Sequence, residues 1–376
     1  MALTPVFLFG TLRDRDLLQV VAGGDLSVEE AELPGFRVAR AEGHGFPILD
    51  ERAGKAARGV LITPDAAQLA RLDYYEAPYE YTRVPVTVET AAGQVEAEVY
   101  APQPGQWRPG GPWSLSHWQD EHGALMREAA VEIMAGHGHV APALINARFC
   151  VILTRAQQRL NARARPSPVV LRRPHTRADV EVVAQRQAYS HFFALEDVQL
   201  RARQFDGGWS EVMDRAVFVT ADAVTVLPYD PVRDRVLLIE QFRAATYMRG
   251  DPNPWSLEVI AGRQDAGESL HDAVRREAKE EAGLTLGELH EVSRYYSSPG
   301  AHTEYLTSFI GIADLPDGTD GVGGLESEAE DIRSMLVSFD TLMEALDTGE
   351  AENGPLILSA LWLARKRDAL RAAMNG

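Results

Sequence analysis

The chain has 376 residues, of which 45% are hydrophobic and 24% charged, and 55 acidic against 37 basic residues give it a formal net charge of −18. This composition is typical of a globular protein with room for two domains, and a negative field repels nucleic acid polymers and anionic membrane surfaces. A single cysteine, Cys150, excludes an internal disulfide framework and fits a reducing compartment. We therefore expect a cytoplasmic protein that binds neither nucleic acid nor membranes, with no secretory leader and no apolar run as long as a membrane span.

The first third of the chain alternates short apolar segments with turns, which predicts a small β domain over residues 1–136. Residues 82–102 alternate between apolar and polar side chains and predict a hairpin around Ala92-Gly93. Residues 114–136 have apolar side chains at helical spacing, and we expect this helix to pack on the β domain.

Two segments of this domain carry candidate chemistry. Gly10-Thr11-Leu12 follows an apolar strand as a turn whose backbone N–H groups suit a carboxylate or an oxyanion. Glu76, in LDYYEAPYEYTR, lies among tyrosines, an environment that raises the pKa of a carboxyl group. Such a carboxyl group is suited to proton transfer.

These segments resemble the γ-glutamylcyclotransferase-like family, a small β-barrel with a Tyr-Gly-Ser/Thr-Leu loop and a catalytic Glu in Leu-Asp-x-x-Glu followed by Tyr-x-Arg. The resemblance covers residues 5–103, and Phe9 replaces the usual tyrosine. It implies that the loop holds a γ-glutamyl group while Glu76 moves protons as 5-oxoproline forms. A non-enzymatic binding or dimer-supporting module is the alternative.

Residues 137–177 are rich in Ala and Arg and predict a helical connector that stops at Pro166 and Pro168. Within it, Cys150 lies in the apolar text ARFCVILT, and we expect it to be a buried small side chain. Residues 178–376 return to strand-like text and end in an amphipathic helix, which predicts a second domain of mixed α+β class.

One helix of the second domain concentrates like charges. Ser269 is a candidate N-cap and Gly283 a C-terminal stop, and Glu277, Glu280 and Glu281 fall between them. Their mutual repulsion would cost about 0.2–0.5 kcal/mol per pair. One interpretation is a solvated face balanced by neighbouring basic residues, and the other is a site for a hard divalent cation such as Mg²⁺, which prefers oxygen ligands. The basic residues are Arg275, Arg276 and Lys279.

The segment from residue 262 to 284 is identified as a Nudix box, and the resemblance extends over about residues 178–372. The matching positions are Gly262, Glu268, Arg276, Glu277, Ala278, Glu280, Glu281, Gly283 and Leu284. The text around them is similar to the ADP-ribose diphosphatase subfamily, which has a later Ser-Pro-Gly, here residues 298–300, and an acidic loop before Asp-Ile-Arg. This resemblance implies an α/β/α sandwich.

The resemblance also implies a site. Mg²⁺, with Mn²⁺ as the alternative, would be held by the carbonyl of Ala261 and by Glu277, Glu280 and Glu281. The ions would promote attack of water on the pyrophosphate of ADP-ribose, giving AMP and ribose 5-phosphate. The acidic loop would supply the base, with Glu330 the first candidate and Glu328 the second.

Substrate contacts and assembly follow from the same resemblance. Phe192 would stack on adenine, Arg215 and Arg243 would pair with phosphate, and Glu304 would contact the terminal ribose or a metal ion. Tyr305 stands where the subfamily usually has a basic residue. Another nucleotide sugar or a dinucleotide is the alternative substrate, and we expect a homodimer built through the Nudix domain. The combination of domains is similar to that of proteins associated with tellurite resistance, for which these residues give no chemical explanation.

Overall fold

A computed structural model describes residues 4–166, 168–325 and 330–373. The chain forms two compact units, Met1–Asp214 and Arg215–Gly376. None of the helices in these described ranges is both long enough and apolar enough to cross a membrane.

The first unit contains a closed β-barrel, as predicted. The β2–β3 hairpin completes a ring in the order β3–β1–β5–β4–β2, and β6 lies on the outer side of β2. The predicted hairpin at residues 82–102 is confirmed by β4 and β5, with Thr90 opposite Gly93. Closure leaves the ring without open strand edges. The strands are β1 (Val6–Leu8), β2 (Val28–Ala41), β3 (Pro47–Ile62), β4 (Thr82–Thr90), β5 (Gly93–Ala101) and β6 (Pro109–Pro112).

Helices cover one side of this barrel and form a hydrophobic cluster with its wall, separate from the cluster of strand residues that contains Phe7. Leu17, Leu72, Ile133 and Ile152 come from four different helices and pack in one cluster with Val6 of β1. The predicted packing of residues 114–136 on the barrel is thus confirmed. The helices are α1 (Arg15–Ala22), α2 (Ala66–Glu76), α3 (Leu115–Trp118), α4 (Ala124–Ala135), α5 (Pro142–Ala147) and α6 (Phe149–Ala164), and a π-helical turn, Gln119–Gly123, joins α3 to α4.

The connector is helical, as predicted, but it is part of the first unit's core. Ile152 and Ala156 of α6 are buried in that core. The expectation that Cys150 is buried is wrong, since its side chain is exposed. The reason is helical phase: Cys150 lies two residues, or about 200°, from Ile152 and so faces away from the buried stripe.

A long hairpin follows the connector. It consists of β7 (Val180–Ser190) and β8 (Ala194–Ala202), antiparallel, with Ser190 opposite Ala194 at the turn. The strand β9 (Met213–Val219) then leads into the second unit. Because β7 and β8 group by contact with the first unit, the boundary at residue 178 stays a prediction.

The second unit is built on a mixed sheet with the order β14–β15–β10–β11–β17–β16, with β12 added to β11 and β13 to β10. β10 and β15 are parallel, and β11 runs antiparallel to β17. The strands are β10 (Ala223–Asp230), β11 (Arg235–Phe242), β12 (Trp255–Glu258), β13 (Ile260–Arg263), β14 (Leu289–Tyr296), β15 (Tyr305–Ile312), β16 (Val322–Gly323) and β17 (Ile332–Ser338). The helices are α7 (Ala244–Arg249), α8 (Leu270–Ala282), α9 (Phe339–Thr348) and α10 (Gly354–Ala373).

Helices cover both faces of this sheet, and apolar side chains of the central strand point to each face in turn. Val224 and Val226 of β10 pack with Val274 of α8, whereas Leu227 and Tyr229 pack in a second cluster with residues of α9 and α10. Because successive strand residues point to opposite faces, β10 is buried on both sides. The predicted α/β/α sandwich is confirmed.

Candidate functional site

The acidic helix α8 begins and ends where the sequence predicts. The hydroxyl of Ser269 accepts a hydrogen bond from the amide of Asp272 at 3.1 Å, and Gly283 ends the helix with φ +65°. These two caps fix where α8 begins and ends. Glu281 is on the buried side, together with Ala273, Val274 and Ala278.

Glu281 is buried and Glu277 is largely shielded from solvent, which rules out a fully solvated face for these two glutamates. The side chain of Glu281 is 3% exposed and that of Glu277 is 13% exposed. Burial raises the pKa of Glu281 to about 8, with a further contribution from Glu277, and burial raises the pKa of Glu277 to about 7. Glu280 is more exposed, at 30%.

The strand opposite α8 makes room for these carboxylates. The amide of Ala261 donates to Glu281 Oε2 at 3.3 Å, and a Cβ atom built on Gly262 would overlap the carboxylate of Glu277. Glycine at position 262 therefore leaves the space that the Glu277 carboxylate occupies. The same spacing brings the backbone of Ala261, a predicted metal ligand, next to a predicted carboxylate ligand.

Arg276 is the cation that balances the acidic group. Its guanidinium binds Glu268 through two contacts of 3.0 Å, Glu277 at 2.7 Å and Glu280 at 3.0 Å. The other two basic residues of the helix bind carbonyl groups. Arg275 donates to the carbonyls of Leu286 and Gly287, and Lys279 donates to the carbonyl of Gly283, so both bind the segment that follows the helix.

Glu330 and Arg243 complete the group. Arg243 binds Glu258 through two hydrogen bonds of 2.9 and 2.7 Å, and Glu258, together with Glu281 and Glu330, raises the pKa of Arg243. Glu330 also contributes to the raised pKa values of Glu277 and Glu281. The structure therefore brings the first candidate base into the electrostatic neighbourhood of the box glutamates.

The remaining predicted residues lie on other elements of the chain. Glu304 accepts a hydrogen bond from Ser297 at 2.8 Å in the β14–β15 loop, Arg215 is exposed on β9, and Phe192 lies in the turn between β7 and β8. Glu328 lies outside the described residues.

The chemistry of the donor set fits a hard cation. Glu277 and Glu281 supply oxygen atoms whose charge is offset only in part by protein groups, and Mg²⁺ and Mn²⁺ both bind carboxylates. Within the described ranges, no group of three or more His, Cys, Asp or Glu side chains is arranged to hold one ion. In this arrangement one carboxylate oxygen of Glu277 and one of Glu280 bind Arg276.

The first unit has a second candidate site at Glu76, the last residue of α2. Burial raises the pKa of Glu76 to about 8, and Glu76 in turn contributes to the raised pKa values of Tyr75, Tyr79 and Tyr81. The prediction of a tyrosine-lined carboxyl group with a raised pKa is confirmed.

A network of charges fixes the position of this helix end. Asp73, one turn before Glu76, accepts hydrogen bonds from Arg83 Nε at 2.9 Å and from the Tyr100 hydroxyl at 2.8 Å, and Arg83 also binds Glu98. These partners lie on β4 and β5, so α2 is attached to the barrel wall.

The Gly10-Thr11-Leu12 turn lies at the same end of the barrel. It follows β1, which runs parallel to β5 with Phe7 opposite Val99, so it leaves the barrel at the level of Tyr100. The turn is tight: Arg13 and Asp14 donate to the carbonyls of Gly10 and Thr11 at 3.1 and 3.0 Å. A Cβ atom at Gly10 would lie 2.7 Å from Pro47, which favours glycine there.

Comparison with known proteins separates the two units in the same way. Residues 6–119 match the family described as gamma-glutamyl cyclotransferase, AIG2-like, and residues 219–359 match the NUDIX domain family. The ADP-ribose pyrophosphatase of Escherichia coli strain K12 is 38% identical over 193 residues, an alignment that covers 51% of this chain and 91% of that protein. The chain belongs to the Nudix family.

Two further Nudix relatives show how far the similarity extends. The ADP-ribose pyrophosphatase of Haemophilus influenzae is 34% identical over 187 residues, covering 49% of this chain and 86% of that protein. The GDP-mannose pyrophosphatase of Enterobacter sp. strain 638 is 30% identical over 186 residues, covering 49% of this chain and 94% of that protein.

Sequence reasoning missed one member of the Nudix site. Glu258 is 4% exposed and holds Arg243 through two hydrogen bonds, but in the sequence it is one acid in the strand text WSLEVIAG. Its position gives a weak signal, because a carboxylate that ends an apolar strand needs a buried partner. That partner is fifteen residues away, at the start of α7, whereas Glu258 ends β12.

The raised pKa of Glu76 predicts a pH-dependent stability. The folded chain keeps a proton that the unfolded chain releases above its ordinary pKa of 4.5, so stability falls as the pH rises from about 4.5 to about 8. Glu76→Gln cannot ionise, and we expect its Tm to match that of the wild type near pH 4.5 and to exceed it at pH 9. Thermal unfolding at both pH values measures the difference. Glu89→Gln, at an exposed position of β4, is the control; an equal shift of Tm at both pH values would contradict the assignment.

Proposed function

We propose that the Nudix domain hydrolyses the pyrophosphate bond of ADP-ribose to AMP and ribose 5-phosphate in a reaction that depends on Mg²⁺, with Mn²⁺ as an alternative. The observation that carries this proposal is the burial of Glu277 and Glu281, two like charges, against the backbone of Ala261. The identity to relatives named ADP-ribose pyrophosphatase supports the choice of substrate.

Four groups would hold the metal ions: the carboxylates of Glu277, Glu280 and Glu281 and the carbonyl of Ala261. When bound, the ions would neutralise the pyrophosphate and lower the pKa of an attacking water molecule. The burial of Glu281 and its hydrogen bond to the Ala261 amide keep this carboxylate in a fixed orientation. Arg276 binds Glu277 and Glu280 and so reduces the repulsion between the carboxylates on this face of the helix.

Glu330 is the proposed general base, and Glu328 is the second candidate. Glu330 lies near enough to Glu277, Glu281 and Arg243 to influence their pKa values. A carboxylate at this position would accept the proton of the water that attacks phosphorus, while the bond from phosphorus to the bridging oxygen breaks.

Substrate recognition is proposed for four further side chains. Arg243 would bind phosphate, and its bidentate pairing with Glu258 fixes the plane of the guanidinium. Arg215 would provide a second phosphate contact, Phe192 would stack on adenine, and Glu304 would accept a hydrogen bond from the terminal ribose. One aromatic side chain for the base and two arginines for the phosphates would together suit an adenosine diphosphate ester.

Another nucleotide sugar or a dinucleotide is the second candidate substrate. The relation to GDP-mannose pyrophosphatase favours it, since that relative covers nearly the same length of chain as the ADP-ribose relatives. Tyr305, next to Glu304, also departs from the basic residue that the ADP-ribose subfamily usually has at this place. A panel of ADP-ribose, NADH, GDP-mannose, ADP-glucose and diadenosine polyphosphates separates the candidates.

Glu281→Gln should abolish most of this activity. The substitution removes a proposed metal ligand, and changes beside a metal typically cost about 10–100-fold in affinity or rate even beyond the ligand shell. It also removes a buried charge, so we expect the Tm to be unchanged or higher. The measurement is release of phosphate monoester from ADP-ribose with Mg²⁺ and with EDTA.

Glu352→Gln is the matched control, because Glu352 is an exposed glutamate of the same domain. It should keep the wild-type rate, and EDTA should abolish turnover in both proteins. Normal turnover by Glu281→Gln would refute the metal assignment, and turnover of another substrate in preference to ADP-ribose would refute the substrate.

A homodimer is part of the proposal. Apolar side chains of β7 are exposed in a single chain, including Val182 at 52%, Val183 and Tyr189. An exposed apolar strand of this kind is a surface for another protein. We expect a dimer mass by light scattering and a monomer mass for Val182→Lys. Val131→Lys, an equally exposed valine of α4, should leave the dimer intact; a monomeric wild type would end this part of the proposal.

A γ-glutamylcyclotransferase activity is the candidate for the first domain, and a non-enzymatic binding or dimer-supporting role is its alternative. The pKa of Glu76, about 8, favours catalysis, because this carboxyl group can both give and take a proton near neutral pH. Release of 5-oxoproline from γ-glutamyl amines, absent in Glu76→Gln, is the expected result. If the wild type forms none, the domain has a non-enzymatic role.

The expected compartment is the cytoplasm, since the chain has a single cysteine.

A further inference from the structure

The connector helix α6 contains an arginine with no exposed surface. Arg155 is 0% exposed, and its guanidinium binds Glu132 of α4 through hydrogen bonds of 2.9 and 2.5 Å. Glu132 is itself buried and also accepts from Arg159 at 3.1 Å. A buried charge of this kind persists only where its other hydrogen-bonding groups are also satisfied.

The remaining donors of Arg155 are directed to one turn of the chain. Nη1 donates to the carbonyls of His191 and Phe192, both at 3.2 Å, and Nη2 donates to the Ser190 hydroxyl at 3.4 Å. A second arginine of the connector, Arg148, donates to the carbonyl of Ser190. The guanidinium groups of the connector thus bind the backbone of the β7–β8 turn at three consecutive residues.

This turn carries the aromatic side chain proposed for adenine stacking. Phe192 is 54% exposed, and its ring lies edge-on to that of Phe193, with centroids 4.9 Å apart. With more than half of its surface in solvent, core packing does little to fix the position of the ring. The backbone of the turn is therefore one determinant of where the ring lies, and Arg155 holds that backbone.

We infer that the Glu132–Arg155 pair is a positioning device for Phe192, and that it thereby sets the affinity of the chain for its nucleotide. The inference rests on the proposed function, since it assumes that Phe192 stacks on adenine. Arg155 is a positioning residue and not a catalytic one.

Arg155→Lys in the full-length chain tests the inference. Lysine keeps a positive charge for Glu132, but a single ammonium group cannot reproduce the planar set of bonds to Glu132, His191 and Phe192 at once. We expect the KM for ADP-ribose to rise about tenfold with kcat unchanged, the effect expected when an aromatic stack on one base is lost. Phe192→Ala should raise KM by a similar factor, and the double variant should raise it no further.

Arg159→Met is the matched control. Arg159 lies one turn along α6 and binds Glu128 and Glu132, but it makes none of the contacts to residues 190–193 described above. It should leave KM unchanged. If Arg155→Lys proves unstable, Arg148→Met removes the other connector contact to the turn and should raise KM in the same direction.

Amide hydrogen exchange at residues 190–193 gives a readout that needs no substrate. Exchange there should be faster in Arg155→Lys than in the wild type and Arg159→Met. Unchanged exchange, or an unchanged KM beside a raised KM in Phe192→Ala, overturns the inference. An additive rise in the double variant also overturns it, because Arg155 would then act elsewhere. A wild type that does not hydrolyse ADP-ribose refutes the proposed function instead, and the exchange result then decides the inference alone.

Discussion

The repulsion between two buried carboxylates, Glu277 and Glu281, is the constraint on which the rest of the Nudix domain depends. Two negative charges one helical turn apart are unfavourable in a low dielectric, and the fold offsets this cost with few protein groups. Arg276 neutralises part of the charge, and the Ala261 amide donates to one carboxylate. The missing side chain at Gly262 leaves the space that the Glu277 carboxylate occupies. A cation bound here would offset the repulsion that remains.

The two domains reach raised carboxyl pKa values by different physical routes. In the Nudix domain, burial and neighbouring carboxylates together raise the pKa values of Glu277 and Glu281. A cation bound among these carboxylates would displace their protons. At Glu76 burial acts alone, among phenol groups that stay neutral. The first arrangement favours binding of positive charge, whereas the second favours storage of a proton. One chain therefore contains a group of carboxylates that attracts cations and, in a separate core, a carboxyl group that holds a proton.

Features that depend on neighbouring residues could be predicted from the sequence, whereas pairs of residues far apart in the chain could not. The caps at Ser269 and Gly283 and the β4–β5 hairpin were predictable because each depends on residues a few positions apart. The pairing of Arg243 with Glu258 and the burial of Arg155 were not, since the partners of these arginines are separated from them by whole elements.

Cys150 shows the same limit at shorter range. Its apolar neighbours predict burial, but the phase of the helix decides which side of α6 meets the core, and that phase is set by contacts elsewhere.

The π-helical turn at Gln119–Gly123 has a consequence for how this chain tolerates changes of length. It carries one extra residue between Trp118, which is buried in the core, and α4, whose glutamates bind the arginines of α6. Each residue of an α-helix turns its side chain by about 100°, so a deletion within this turn would rotate all of α4 relative to α3. The loss of one codon here would therefore misalign α4 with α3 and with the arginines of α6, although α6 lies further along the chain.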